Sequence, residues 1–568
     1  MSARRPCFIF VPGSWIPFPI HALSSVESAS TSTLTELAKR AFCKPSFVNL
    51  RAYQLPEGFD PATYDWSNWE NPTRSLTALD LGRKPDDVDG SILFLELSKT
   101  TVTRSSAASS SSPASGAANP ASPSRKWLKL SPSEAAKLPN FLERQLADDE
   151  TTIYNGRPPQ CTGPDVCCYS FAFYNLKAAV HGDKVVIDNY ETNIEHAVNL
   201  MTAASSYYPT EADRLEELRG FLTPLCPQVS WRDTTVRDGS RSQLCPDAFS
   251  IVDAHKTLLK RDIYPCFGEL KNEVGTGASD PAHQVACDYE LFCRWEKTRI
   301  WRERCCVPTI LVAMAGTDLV IYGAIHLGGP VVQELYRIKL QLLDQDRTAA
   351  AEHIVHVFAS LSMAIATLRD FYQTLPFDPI PTFIQPTYKI PDRIVNWVGT
   401  PFPLQPRSNR MVFFADVESP TYTGPVVIKF PRTYSVDAHR KMEALRAAAP
   451  LVYYAFDDVL RRHVVVTQRL GEPGEVLEDE LQHLRNALEE YHREGFVFGD
   501  LRSPNVVRDL DDQRRLKLID FDWAGRQKEA RYPAINAEID WAAGVKSFAF
   551  ILPEHDMAML AKLPISAL

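Results

Sequence analysis

The chain has 568 residues, more than one hydrophobic core usually supports, so two or three domains are expected. With 45% hydrophobic and 23% charged residues it is able to bury sizeable cores, which excludes a disordered polyampholyte. A formal net charge of -9 argues against general coating of nucleic acid, while leaving room for local basic surfaces that bind phosphate. The 12 cysteines form no CxxC pair and no regular framework, so reduced core thiols are expected rather than disulfides or a zinc ribbon.

The first segment, MSARRPCFIFVPGSWIPFPI, sets two arginines before apolar residues as a signal peptide does. Its prolines and glycine interrupt the helix such a peptide needs, and no cleaved signal is expected. Strand-like CFIFV, helical LTELAKRAF, then FVNLRAYQL and SILFLEL predict a small β-grasp (ubiquitin-like) module over residues 1–102. The run SSAASSSSPASGAANPASPS, Ser105 to Ser124, is too small and polar to build a core and reads as a linker, placed at 103–125.

Residues 126–335 begin with the helical stretches SPSEAAKLPNFLERQLADD and EADRLEELRGFL. Three fragments follow: LCPDAFSIVDAHK, YPCFGELKNEVG and DPAHQVACDYELFCRW, read as a Pro-Asp opening a strand, a strand ending Glu-x-Lys and a helix. Period-two alternation puts Glu269 and Lys271 on one face of their strand. With Asp247 on the neighbouring strand this is the pattern of a PD-(D/E)XK nuclease, in which the carboxylates hold one or two divalent ions and the lysine assists the attacking water. Asp247, Glu269 and Lys271 are the catalytic candidates, Asp247 and Glu269 the candidate ligands for Mg2+ or Mn2+, with Gln284 and Glu217 in support. The apolar run from Cys306 is divided by Gly316, Thr317 and Asp318, so two buried strands, PTILVAM and DLVIYGAI, are expected instead of a membrane span. Residues 336–384, with RTAAAEHIVHVFASLSMAIATLRDFY, have helical spacing and are assigned as a helical connector.

From residue 385 to 568 four fragments stand in the order that phosphotransfer on a protein-kinase fold requires. PVVIKF ends a β-branched strand at Lys429, placed to pair the α- and β-phosphates of ATP. SVDAHRKMEALRAAAP reads as a capped helix, and Glu443 on it is the candidate carboxylate for Lys429, with His439 or another side chain as the alternative facing the lysine. After the amphipathic LEDELQHLRNALEEYHREG, the loop FVFGDLRSPNVV supplies Asp500 to orient the attacking hydroxyl and Asn505 to hold a metal ion. LKLIDFDWAG supplies Asp520, the candidate Mg2+ ligand.

Several features depart from that pattern. Phe498 and Gly499 stand where kinases have His and Arg before the catalytic Asp, so activation through that arginine is not expected. No GxGxxG precedes Lys429, no APE follows Asp520, and Trp523 to Leu568 is too short for a full peptide-binding lobe. A reduced carboxy lobe is therefore expected.

GDLRSPN paired with LIDFDWAG resembles a fungal kinase-like family. The amino-terminal pattern TLTELAKRAF, VNLRAYQLPEGF and SILFLEL before a Ser/Pro-rich tail resembles that of Crinkler-type effectors of fungi and oomycetes. The resemblance implies a multidomain α+β protein: ubiquitin-like β-grasp module, α/β restriction-endonuclease-like core and protein-kinase-like domain. It further implies secretion into a host cell, action there, in the nucleus among other sites, and interference with host DNA or signalling. The leading expectation is an ATP- and Mg2+-dependent kinase acting on a protein substrate; the alternatives are a metal-dependent DNA endonuclease with a regulatory kinase-like region, and a scaffold with both sites inactive.

Overall fold

The computed structural model describes five strands within residues 7–99 and residues 130–564, apart from 148–150, 183–188, 238–242, 274, 342–345, 378–380, 382, 400–410, 472–477 and 510–514. The chain divides into two units, Met1–Pro120 and Ala121–Leu568.

In the first unit, β1 (Cys7–Val11), β2 (Ser14–Pro17), β3 (Phe47–Gln54), β4 (Thr77–Ala78) and β5 (Leu93–Lys99) form one sheet in the order β2-β1-β5-β3-β4. β1 and β5 pair in parallel, and the other pairs are antiparallel. The helix expected at LTELAKRAF lies outside the described residues.

In the second unit a one-turn helix at Pro132–Ala135 is followed by helices α1 (Leu138–Ala147), α2 (Phe171–His181), α3 (Tyr190–Ala204) and α4 (Glu211–Leu225). Then come β6 (Ser230–Trp231), the short hairpin β7 (Val236–Arg237) and β8 (Gln243–Leu244), β9 (Ala248–Val252) and β10 (Ile263–Lys271). Helix α5 (Pro281–Arg294) crosses over to β11 (Thr309–Ala315), followed by β12 (Asp318–His326) and β13 (Pro330–Lys339). The six-stranded sheet runs β13-β12-β11-β10-β9-β6. β10 and β11 are parallel, as a helical crossover requires, and β9 and β12 flank them antiparallel. Every residue of β10 and β11 is buried, so these central strands read as apolar runs interrupted by the polar Glu269 and Lys271. Pro265 lacks the N–H a central ladder needs, and the β9–β10 register shifts between Ile263 and Cys266. The two strands expected after Cys306 are β11 and β12, paired by a tight turn.

Helix α6 (Arg347–Thr374) corrects the connector assignment. It is long and apolar enough to cross a membrane, yet Ile354, Phe358, Leu361, Ile365, Leu368 and Tyr372 are buried, and it packs on α2, α3, β9 and β10. Its hydrophobic face thus completes the core of the middle region, and the expected boundary at 335/336 falls inside β13.

The remaining chain forms a second sheet from β14 (Ile394–Gly399), β15 (Val412–Glu418), β16 (Thr423–Lys429), β17 (Leu451–Asp457) and β18 (Arg462–Gln468), ordered β14-β15-β16-β18-β17 and antiparallel throughout. Helix α7 (Val436–Ala444) begins at Ser435, whose side chain caps the Ala438 N–H. Below lie α8 (Glu478–Arg493), β19 (Phe496–Val497), the hairpin β20 (Val506–Arg508) and β21 (Leu516–Leu518), β22 (Gly525–Arg526) and α9 (Pro553–Leu560). This antiparallel sheet shares one continuous core with the middle region, from Phe173 and Ile321 to Phe413 and Val466. Across the join, Asp457 Oδ2 accepts from the Tyr174 hydroxyl (3.0 Å) and the Tyr388 hydroxyl (2.6 Å), and Arg462 faces Asp165 at 3.5 Å. The two regions that the sequence separates into domains are therefore packed as one body by burial.

Candidate functional site

Lys429 is the last residue of β16, held between β15 and β18, so its ammonium leaves the sheet from a fixed point. It donates to Asp520 Oδ1 at 2.6 Å and Asp522 Oδ1 at 3.0 Å. Burial alone lowers an ammonium's pKa, but these two carboxylates outweigh it and hold Lys429 above its ordinary value. The pair shares one cation: burial opposes the Asp520 charge, yet Lys429 keeps its pKa below the usual range, while burial raises Asp522 to about 7.

Glu443 is a correction. Its carboxylate does not meet Lys429; it accepts from the Leu451 backbone N–H, and burial raises its pKa. Among the described residues, Asp522 takes the lysine instead, a residue that stands where the usual motif has glycine. His439 does not face the lysine either. Its ring stacks on Phe521 at 4.4 Å and its Nε2 bonds the Ala449 carbonyl at 2.7 Å. Phe498 packs edge-on to the same Phe521 ring at 5.1 Å, so an apolar contact stands in the place of the missing histidine.

The catalytic-loop candidates come together. Asn505 Nδ2 donates to the Asp500 carbonyl and to Asp500 Oδ2, both at 2.8 Å, which leaves its amide oxygen free of that bond. Arg502 clamps Asp500 with two bonds, 2.5 Å to Oδ1 and 2.9 Å to Oδ2. Burial raises the Asp500 pKa, partly offset by Arg502. Beside this loop Trp523, Tyr532 and Trp541 pack ring to ring, with the Arg502 guanidinium 5.5 Å above Trp541.

The loop is held from below by a residue that sequence reasoning missed. Asp556 on α9 accepts from the Phe498 N–H (2.8 Å), the Gly499 N–H (2.7 Å) and His492 Nε2 (3.0 Å). Its partners lie more than 50 residues away, so no local spacing announces it. Gly499 has φ +85°, and a Cβ there would sit 2.6 Å from Ile551 Cδ1, so conformation and space both favour glycine where the kinase motif has arginine.

In the middle region, Asp247 precedes β9. Its N–H bonds the Gly268 carbonyl at 3.0 Å, and its Oδ2 accepts from the Leu270 N–H at 2.8 Å. Lys271 Nζ lies 2.8 Å from Glu269 Oε1 and 3.1 Å from Glu211 Oε2. Burial drives the Asp247 pKa to about 6; burial, then Asp247 and Asp288, drives Glu269 well above the carboxylate range. The three candidates Asp247, Glu269 and Lys271 are thus gathered. Gln284 accepts from the Ser279 hydroxyl at 3.4 Å, at the start of α5. Asp288, one turn further along, joins the acids, and Glu211 takes the place on α4 that was expected for Glu217.

No protein-family model matches this chain, and no curated protein matches it. Among solved structures the chain is similar to the kinase PK-1 of the Cydia pomonella granulovirus, at 14% identity, 25% of this chain, 57% of that one and a TM-score of 0.19. It is also similar to vaccinia related kinase 3, at 14% identity, 30% of this chain, 67% of that one and a TM-score of 0.22. The chain thus spans little more than half of the first and two thirds of the second.

Proposed function

We propose that residues 385–568 form an ATP- and Mg2+-dependent phosphotransferase acting on a protein hydroxyl, in an effector-like chain that resembles Crinkler-type effectors delivered to host cells. The observation that carries this reading is the meeting of Lys429 with Asp520 and Asp522 beside an Asp500–Asn505 loop braced by Arg502 and Asp556. The donor chemistry fits magnesium: Asp520, Asp522 and the Asn505 amide offer hard oxygens, and two carboxylates share only one ammonium. Bound there, Mg2+ would neutralise charge on the phosphates during transfer. Lys429 would hold the α- and β-phosphates, and Asp500 would orient the acceptor hydroxyl and take up its proton.

The decisive experiment offers labelled ATP and Mg2+ to the full chain with a mixed protein acceptor, and compares wild type with Asp500→Ala. Incorporation by wild type alone supports the reading; equal incorporation by both sinks it. Glu443→Ala should leave transfer within about twofold of wild type, because its carboxylate is spent on a backbone amide. Asp522→Asn should cost about tenfold or more, the worth of a charge-assisted bond to Lys429. The reverse ranking in initial rates would return the lysine-holding role to α7.

A second reading, a metal-dependent DNA endonuclease in the middle region, is favoured by the cluster of Asp247, Glu269 and Lys271 on a sheet with parallel β10 and β11 bridged by α5. Glu269→Gln should abolish Mn2+-dependent nicking of supercoiled plasmid, while Asp500→Ala leaves it intact. Nicking retained in Glu269→Gln removes this reading. For the amino-terminal unit, the order β2-β1-β5-β3-β4 with its parallel central pair supports the β-grasp expectation.

A further inference from the structure

On residues that neither candidate site uses, the second unit holds a cleft of about 410 Å³. Three segments line it: Arg299 and Arg302 on the one-turn helix that follows α5, His326, Leu327 and Gly328 where β12 turns into β13, and Ile384 between α6 and β14. Pockets that take a small organic molecule run from about 300 to 1,000 Å³, so this one suits a compact ligand.

The arginines here are not satisfied alike. Arg299 faces Glu296 at 3.1 Å and Glu303 at 3.6 Å, and Arg304 donates to the Phe377 carbonyl at 2.8 Å and the Ile300 carbonyl at 3.1 Å. Arg302 has no such acceptor among the described residues, and its Nε is buried without a hydrogen-bond partner. A surface arginine ordinarily keeps its head in water or against a carboxylate, because a buried donor left unmatched loses the hydrogen bonds it had in water. The guanidinium fork is shaped to give parallel bonds to one oxyanion.

The rest of the lining suits an organic body attached to that anion. Leu327 is buried and Ile384 half-buried, which makes one wall apolar. Burial, then the Arg302 charge, lower the His326 pKa to about 4, so its ring is neutral at physiological pH and offers a flat face with one N–H. Gly328 has φ +76°, and a Cβ there would meet no atom within 4 Å, so the turn leaves room beside the ring. The acid of the lining, Glu303, is exposed and lies 3.8 Å from Arg304 as well as beside Arg299. Arg299 and Arg302 against this one carboxylate leave the cleft positive.

We propose that this cleft binds a small phosphomonoester, with its phosphate on the Arg302 fork and its organic body against His326, Leu327 and Ile384. The proposal goes beyond the phosphotransfer and nuclease readings and stands or falls without them.

The test is calorimetric titration of the full chain with phenyl phosphate and with inorganic phosphate, alongside the melting temperature at each concentration. Wild type is compared with Arg302→Met, with Arg302→Lys and with Arg337→Met, which removes an exposed charge paired with Glu334 that does not line the cleft. Phenyl phosphate should bind wild type and Arg337→Met alike and raise both melting temperatures. Arg302→Met should lose at least about tenfold in affinity, the worth of a charge-assisted bond, and Arg302→Lys should lose part of it, since an ammonium keeps the charge without the fork. If the unliganded melt shows Arg302→Met to be unfolded, the Arg302→Lys titration decides. Full affinity in both Arg302 variants, or an equal loss in Arg302→Met and Arg337→Met, overturns the proposal. So does an absence of binding by wild type at millimolar phenyl phosphate. Inorganic phosphate that binds as tightly as phenyl phosphate overturns the choice of an organic ester.

Discussion

Asp500→Ala is expected to lower transfer of the γ-phosphate by about 10²–10⁴-fold, the usual contribution of a positioned general base. Asp500 is buried, and its carboxylate is fixed by the two bonds from Arg502 and one from Asn505, so its direction is set before any substrate arrives. Nucleotide should still bind, because Lys429, Asp520 and Asp522 stay paired with one another. Asp500→Asn separates position from chemistry: it keeps the shape and the bond from Asn505 but has no basic carboxylate. A fall in kcat with an unchanged ATP dissociation constant, seen in both variants, is the expected signature. Transfer preserved in Asp500→Asn would show that the residue positions and does not take the proton.

The second large effect is on the fold beneath the loop. Asp556→Ala should destabilise this region by about 3–5 kcal/mol, the cost of breaking a buried charge-assisted network from one side. Asp556 is 1% exposed, and its removal strands the Phe498 and Gly499 N–H groups along with His492 Nε2. Asp556→Asn keeps one acceptor oxygen and should lose less. Urea unfolding followed by tryptophan fluorescence reports the difference, because Trp523 and Trp541 lie beside this loop. Phosphate transfer should fall as well, although Asp556 does not border the Lys429 pair. An unchanged midpoint for Asp556→Ala would mean that the loop is held by other contacts.

Both expectations depend on parts of unequal legibility. Lys429, Asp500, Asn505 and Asp520 were visible because each sits in a short run whose local structure is set by its neighbours: a β-branched strand, a loop after an amphipathic helix, an apolar strand end. The same holds for Glu269 and Lys271, where period-two alternation alone puts both side chains on one face. The cap of α7 at Ser435, the turn between β11 and β12 and the hairpin of β20 with β21 are local events too, and the structure shows each of them.

What pairs with what was not local. Helical spacing placed Glu443 on α7 but not the direction in which α7 faces, and the lysine went to Asp522, two residues beyond the acid the motif names. Asp556 and Asp288 carry no spacing signal, since one is defined by a loop more than 50 residues earlier and the other by strands across a crossover. Helix α6 has the composition of a connector or a membrane span, and only the sheet it covers makes it a core element.

The sequence by itself determined local elements such as β11, β12, β16 and α7, and the order of chemical groups along two candidate sites. Tertiary structure alone decided that the middle region and the sheet of Lys429 share one core, that Lys429 is held by Asp520 and Asp522, and that Asp556 holds the loop before Asp500. The physical reason is range. Backbone propensity and hydrophobic period act over a few residues, whereas a buried charge must find its partner wherever the fold brings one within hydrogen-bonding distance.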